Sequence, residues 1–152
     1  MSGNEKYWRI IRQEKDPWPA ARNMGLDESI LEHVSSGESP PTIRFYMWKP
    51  SAISIGYFQG LDMEVDVGSC KEMGVDVVRR ITGGGAVYHD NVGELTYSVV
   101  VREKQGLVPK DIMGSYRMII DGLITGLGKM GVEAEFRPLN DIVVSGKKIS
   151  GN

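Results

Sequence analysis

Asp76-Val77-Val78-Arg79-Arg80-Ile81-Thr82-Gly83-Gly84-Gly85-Ala86-Val87-Tyr88-His89-Asp90 is the stretch on which the fold reading turns. Asp76 to Ile81 and Ala86 to His89 have strand character, with Thr82-Gly83-Gly84-Gly85 between them. Leu95 to Val101 follows as an apolar, β-branched run and reads as a buried strand. Strands that succeed one another with so little helix between them point to a mixed or antiparallel sheet, not a doubly wound one. The expected class is α+β, in one domain.

Working outward, Thr42 to Trp48 sets Ile43, Phe45 and Met47 against Thr42, Arg44 and Tyr46, a half-buried strand. Tyr7 to Gln13 and Ala52 to Tyr57 read as further strands. Asp16 as N-cap and Pro17 at the first helical position predict a helix to about Val34, burying Ala20, Met24, Leu31 and Val34. Asp66 to Met73 predicts a short helix closed by Gly74, and Asp62, Glu64 and Asp66 a solvated acidic loop. Ile112, Tyr116, Ile119, Ile120, Leu123, Leu127 and Met130 recur at helical steps, so Pro109 to Met130 is a helix. Glu133 to Phe136 and Asp141 to Ser145 are strands, and Ser145-Gly146-Lys147 turns into another at Lys148-Ile149-Ser150. Met24, Met47, Met63 and Met73 read as core and gap filling, and His33 as a histidine without a ligand-spaced partner.

The 152 residues carry a net charge of −2, which excludes a general polyanion binder and leaves no nucleic-acid partner expected. The single cysteine, Cys70, excludes an internal disulfide and a four-cysteine metal cluster; it reads as a small buried hydrophobe. Met1 to Lys6 is polar, without the apolar core of a signal peptide. No window approaches the roughly 18 apolar residues of a membrane span, so no membrane is expected and the cytoplasm is the default compartment. Glycine is the outlier at 19 residues, against roughly 7% in an average chain.

The glycine turn carries the chemistry. Three successive glycines let backbone N–H groups approach a ligand, and two arginines ending the preceding strand supply forked donors for phosphate or carboxylate. Alternation sends the two arginines to opposite faces, so one of them faces the turn. The segment is neither a Walker loop nor a dinucleotide fingerprint, since it lacks their spacing and a strand follows it. A second constellation lies at Asn140-Asp141 and Gly146-Lys147-Lys148-Ile149-Ser150-Gly151. A lysine opening a strand after a glycine turn can reach an anion in a cleft. Asp141 suits either Mg²⁺ or a turn shared with Asn140.

Arg-Arg-x-x-Gly-Gly-Gly-Ala-Val-x-His-Asp, then Asn-Asp, then Gly-x-Lys-Ile-Ser-Gly, together resemble the lipoate–protein ligase family. Ile55-Gly56-Tyr57-Phe58-Gln59 and Gly93-Glu94-Leu95-Thr96-Tyr97-Ser98 extend the match over about residues 7 to 152. The resemblance implies an α+β domain related to biotin ligases, with a mixed, largely antiparallel sheet packed with helices. It implies activation of lipoate with ATP and Mg²⁺ to lipoyl-adenylate. The lipoyl group then passes to a lysine of an acceptor domain in 2-oxoacid dehydrogenases or the glycine cleavage H protein. By the same resemblance Lys148 is the catalytic lysine, touching the lipoate carboxyl and the α-phosphate, and Arg80 serves the nucleotide and lipoyl-adenylate site. Gly83, Gly84 and Gly85 form the glycine loop, Ala86, Val87 and Tyr88 the adenine edge, and His89 lies beside the same pocket. Asp141 is the candidate magnesium ligand. Ile53, Ile55, Tyr57 and the first helix are candidates for an apolar lipoate channel and equally for core.

Two alternatives stand beside the ligase. An octanoyltransferase shares the fold but moves the acyl group through a cysteine thioester. Phe136-Arg137-Pro138-Leu139-Asn140-Asp141 has no cysteine near the lysine, and Gly85 stands where transferases place arginine. Both features favour the ligase. The other alternative is an incomplete, non-catalytic piece, because family catalytic domains continue past Lys-Ile-Ser-Gly. Residues 1–152 are thus expected to be a catalytic domain shortened at its C-terminal end, with a separate accessory chain as a possible partner.

Overall fold

The computed structural model describes residues 7–152; the signal-peptide reading of Met1 to Lys6 lies outside them. The architecture is α+β, as expected. In chain order the elements are β1 Arg9–Trp18, α1 Ala20–Ser36, β2 Thr42–Trp48, β3 Ala52–Ile55, α2 Leu61–Glu64 and α3 Val67–Glu72. β4 Asp76–Arg79, β5 Val87–His89, β6 Thr96–Val100, α4 Ile112–Lys129, β7 Ala134–Arg137, β8 Asp141–Val144 and β9 Lys147–Gly151 follow. They form two compact units, the first ending at Val101 and the second running from Arg102 to Asn152. Among the described residues no helix is long and apolar enough to cross a membrane.

The first unit holds two three-stranded sheets, ordered β1-β2-β6 and β4-β3-β5. β1 runs parallel to β2, and β3 to β4. β6 lies antiparallel to β2, and β5 to β3. The second unit holds the antiparallel sheet β7-β8-β9, with α4 packed on β7. Arg117 of α4 lays its guanidinium 4.9 Å from the Phe136 ring centroid.

The strand β2 has the predicted limits, but its deeper face is the polar one. Thr42, Arg44, Tyr46 and Trp48 are buried, whereas Ile43, Phe45 and Met47 are half-buried. Arg44 is 0% exposed because every donor it has is used. Its Nε and Nη2 reach Gln13 Oε1 at 3.2 and 2.8 Å, Nη2 reaches Asn23 Oδ1 at 2.6 Å, and Nη1 reaches Asp27 Oδ1 at 2.8 Å and the Asn23 carbonyl at 3.0 Å. Burying a charge this way is possible only with such complete pairing.

Helix α1 starts later than the Asp16-Pro17 signal predicts. Pro19 holds Trp18 extended, so β1 continues to Trp18, which pairs with Trp48 and accepts from Lys49 N at 3.0 Å. The N-cap is Pro19, and the Ala20 amide finds Asp76 Oδ2 of β4 at 3.0 Å. Its buried residues are Ala20, Asn23, Ile30 and Val34. Met24 packs partly against the core and Leu31 is exposed. Met63 and Met73 are exposed too, so they are not core filling. The α2 turn was unforeseen; it takes up Asp62 and Glu64, while Asp66 caps α3 through Ser69 N. β6 is half-buried throughout, not buried.

Candidate active site

The two arginines that precede the glycine turn part company, as strand alternation requires. Arg79 Nη1 donates to the carbonyls of Gly56, Tyr57 and Gln59 at 3.0, 3.1 and 2.7 Å, bracing the loop after β3. Arg80 turns to the glycines. Its Nη1 donates to Ser54 O and Ser54 Oγ, both at 3.1 Å, and its Nη2 to Gly83 O and Gly85 O, both at 2.8 Å. Partial burial lowers the Arg80 pKa from its ordinary value.

The tightest backbone approach is internal. A Cβ on Gly56 would run into the Gly84 carbonyl, and Gly84 itself sits at φ +95°, a conformation that costs a side chain. Gly83 and Gly85 have open space where a Cβ would stand. Both glycines are exposed, with their carbonyls turned onto Arg80, and Val87 and Tyr88 that follow are exposed too.

His89 is 8% exposed, its Nε2 2.8 Å from Ser54 Oγ and its Nδ1 2.7 Å from Glu94 Oε1. Burial alone would raise the Glu94 carboxyl. Hydrogen bonds from His89, Thr96 and the Asp90 amide, with the nearby imidazole, hold it below its ordinary 4.5. Asp90 is likewise held low by the amides of Gly93 and Val92. Cys70 is buried with Ile55 and Val65, and Ile53 packs against them, so these residues are core; Tyr57 is exposed.

In the second unit Lys148 has a side chain 58% exposed and an Nζ 2.8 Å from Asp141 Oδ1. The β8–β9 register sets Asp141 opposite Gly151. A Cβ on Gly151 would come within 2.9 Å of the Lys148 ammonium. Asn140 and Asn152 close the hairpin, the Asn140 Nδ2 donating to the Asn152 carbonyl and the Asn152 Nδ2 to the Asn140 carbonyl. Among the described residues no group of three His, Cys, Asp or Glu side chains gathers to hold a metal.

The fold thus joins Arg80, the three glycines and His89 in one unit, and Lys148 with Asp141 in the other. Ser54, Glu94 and Thr96 were not foreseen as site residues. Glu94 and Thr96 were visible only as part of the Gly93–Ser98 match, and Ser54 carried no signal.

The lipoyl protein ligase A/B catalytic domain model matches residues 19–152. An octanoyltransferase LipM of Clostridioides difficile is 46% identical over 128 residues, covering 84% of this chain and 46% of that protein. The LipM of Geobacillus kaustophilus is 44% identical over 132 residues, covering 87% and 46%. The chain therefore spans just under half the length of these relatives. Among solved structures, one from an archaeal lipoylation system comprising a bi-partite lipoate protein ligase and its E2 lipoyl domain, of Thermoplasma acidophilum, superposes with a TM-score of 0.81. It is 34% identical over 94% of this chain and 54% of that one. A lipoate-protein ligase A bound with ATP gives 0.76 at 32% identity, over 97% and 60%.

These relatives correct the functional expectation. The proteins 44–46% identical to this chain are octanoyltransferases, which overturns ATP-dependent activation of lipoate as the leading reading. The missing cysteine at 136–141 and the third glycine are single-site criteria, and similarity over 128 residues outweighs them. A missing thiol does not forbid transfer, because an amine can attack a donor thioester directly. The chain belongs to the lipoyl protein ligase A/B catalytic domain family.

Proposed function

We propose that this chain serves octanoyl transfer from a thioester donor to the lysine ε-amine of a lipoyl acceptor domain. The observation that carries the reading is the identity of 44–46% to octanoyltransferases. The lipoyl-domain acceptor is supported by the structural neighbour from an archaeal lipoylation system, in which a lipoate protein ligase is paired with its E2 lipoyl domain.

In this reaction the acceptor nitrogen bonds to the acyl carbon, the carbon–sulfur bond breaks, and the donor thiol leaves with a proton. Negative charge builds on the acyl oxygen, and fixed cations and backbone donors are what stabilise it. Lys148, steadied by Asp141 at 2.8 Å, is assigned as the catalytic cation. Arg80 and the backbone of Gly83 to Tyr88 are assigned to binding. Asp141 serves to hold Lys148 and is not assigned to magnesium, since its Oδ1 already meets the ammonium. The donor thioester is itself activated, so the transfer calls for neither nucleotide nor metal. Cys70, buried with Ile55 and Val65, is not assigned as an acyl carrier.

The test incubates the chain with an octanoyl thioester and a lipoyl domain, without nucleotide, and weighs the acceptor by intact-protein mass spectrometry. Octanoylated acceptor is expected. Modification only when lipoate, ATP and Mg²⁺ replace the thioester would overturn the transferase reading.

A further inference from the structure

The guanidinium that holds the glycine turn is itself held from behind. Arg80 Nη1 meets Ser54 Oγ at 3.1 Å, Ser54 Oγ meets His89 Nε2 at 2.8 Å, and His89 Nδ1 meets Glu94 Oε1 at 2.7 Å. Thr96 Oγ1 donates to the same Glu94 oxygen at 2.7 Å and accepts from Trp48 Nε1 at 2.7 Å. The other Glu94 oxygen accepts from Asp90 N at 3.3 Å. The Trp48 ring stacks on His89, centroids 4.0 Å apart and planes inclined by 17°.

The donor and acceptor chemistry gives this chain of bonds one direction. An ionised carboxylate only accepts, so the hydrogen between His89 and Glu94 belongs to Nδ1. A guanidinium only donates, so Ser54 Oγ accepts from Arg80; in a neutral imidazole with its hydrogen on Nδ1, Nε2 is the acceptor and takes the Ser54 hydroxyl hydrogen. A hydrogen on Nε2 would leave the Ser54 hydroxyl without that acceptor.

Serine, histidine and glutamate in this order match a nucleophilic triad in distance. Their setting does not match. Ser54 is 2% exposed, lies on the central strand β3, and has Arg80 on its oxygen, whereas a nucleophile must present that oxygen to substrate.

We propose that His89 and Glu94 are positioning residues: through Ser54 they hold the Arg80 guanidinium, and through Arg80 the Gly83–Gly85 turn. The proposal replaces direct ligand contact by His89 and stands whether or not the transferase reading does.

The test is ¹⁵N NMR of the chain, in which His33 and His89 are the only histidines. The expected result in the wild type is an Nδ1–H tautomer at His89, with a hydrogen-bonded, unprotonated Nε2. Ser54→Ala and Glu94→Ala are expected to shift the His89 nitrogens. They are also expected to loosen the turn, with amide order parameters of Gly83 to Gly85 falling from about 0.85 to below about 0.6. Glu94→Gln keeps a carbonyl oxygen for Nδ1–H and is expected to restore both readouts. An Nε2–H tautomer in the wild type would overturn the proposal, and so would turn order parameters unchanged in Ser54→Ala. Labelling of Ser54 by a fluorophosphonate would overturn it in favour of a nucleophile. If Glu94→Ala does not fold, the wild-type tautomer and Ser54→Ala decide alone.

Discussion

Two arginines in the first unit use the same chemistry to opposite ends. Arg44 lies fully inside, and its hydrogen bonds run to Gln13, Asn23 and Asp27. Asp27 in turn accepts from Tyr46 OH and Ser98 Oγ, both at 2.9 Å. Burial, reinforced by the Asp27 carboxylate, pushes the Tyr46 phenol well above its ordinary range. This network closes on itself and joins β1, α1, β2 and β6. The Arg80 network runs from half-buried Glu94 through buried His89 and Ser54 and ends on the carbonyls of an exposed turn. A closed network fixes a scaffold; one that opens at the surface carries that rigidity to backbone a ligand can reach.

Breaking the closed network should have the largest effect on stability. Arg44→Met leaves Asp27 without its cation and is expected to cost about 3–5 kcal/mol, read by urea unfolding. An unfolding free energy near that of the wild type would mean the two networks do not differ in kind. Gly56→Ala drives a Cβ into the Gly84 carbonyl and should cost about 1–3 kcal/mol. Its effect should be local, with amide shifts confined to the β3 loop and the glycine turn.

Acid sharpens the comparison at smaller scale. Because the folded pKa of Glu94 lies below its ordinary 4.5, its stabilisation is fully present above that value. It is lost as pH falls further, through the folded pKa. The stability difference between wild type and Glu94→Gln should therefore be constant at about pH 6 and shrink towards about pH 3. A gap that widens on acidification would contradict the hydrogen-bond assignment at Glu94.

The strand pattern was legible wherever local chemistry controls it. The Thr42–Trp48 strand and the Ser145-Gly146 turn appear as read, whereas Asp66, read as part of a solvated loop, caps α3. Legibility failed where distant residues decide. Arg44 is buried only because Gln13, Asn23 and Asp27 converge on it, and α1 starts late because Pro19, Trp48 and Asp76 act together. In the site, Arg80 and the glycines announced themselves by type and spacing. Ser54 and Glu94 are separated in sequence from Arg80 by 26 and 14 residues, and only the β4-β3-β5 order brings them alongside. The cysteine criterion misled because it treated one absent thiol as decisive against similarity spread over most of the chain.

The most direct test measures single-turnover octanoyl transfer to a lipoyl domain by wild type, Lys148→Ala and Arg80→Met, with urea midpoints taken in parallel. The account predicts at least about a 100-fold loss of transfer in Lys148→Ala, whose side chain is largely exposed, with its midpoint preserved. It predicts a comparable loss in Arg80→Met, with stability lowered by only about 1 kcal/mol. Wild-type transfer rates in both variants would contradict it.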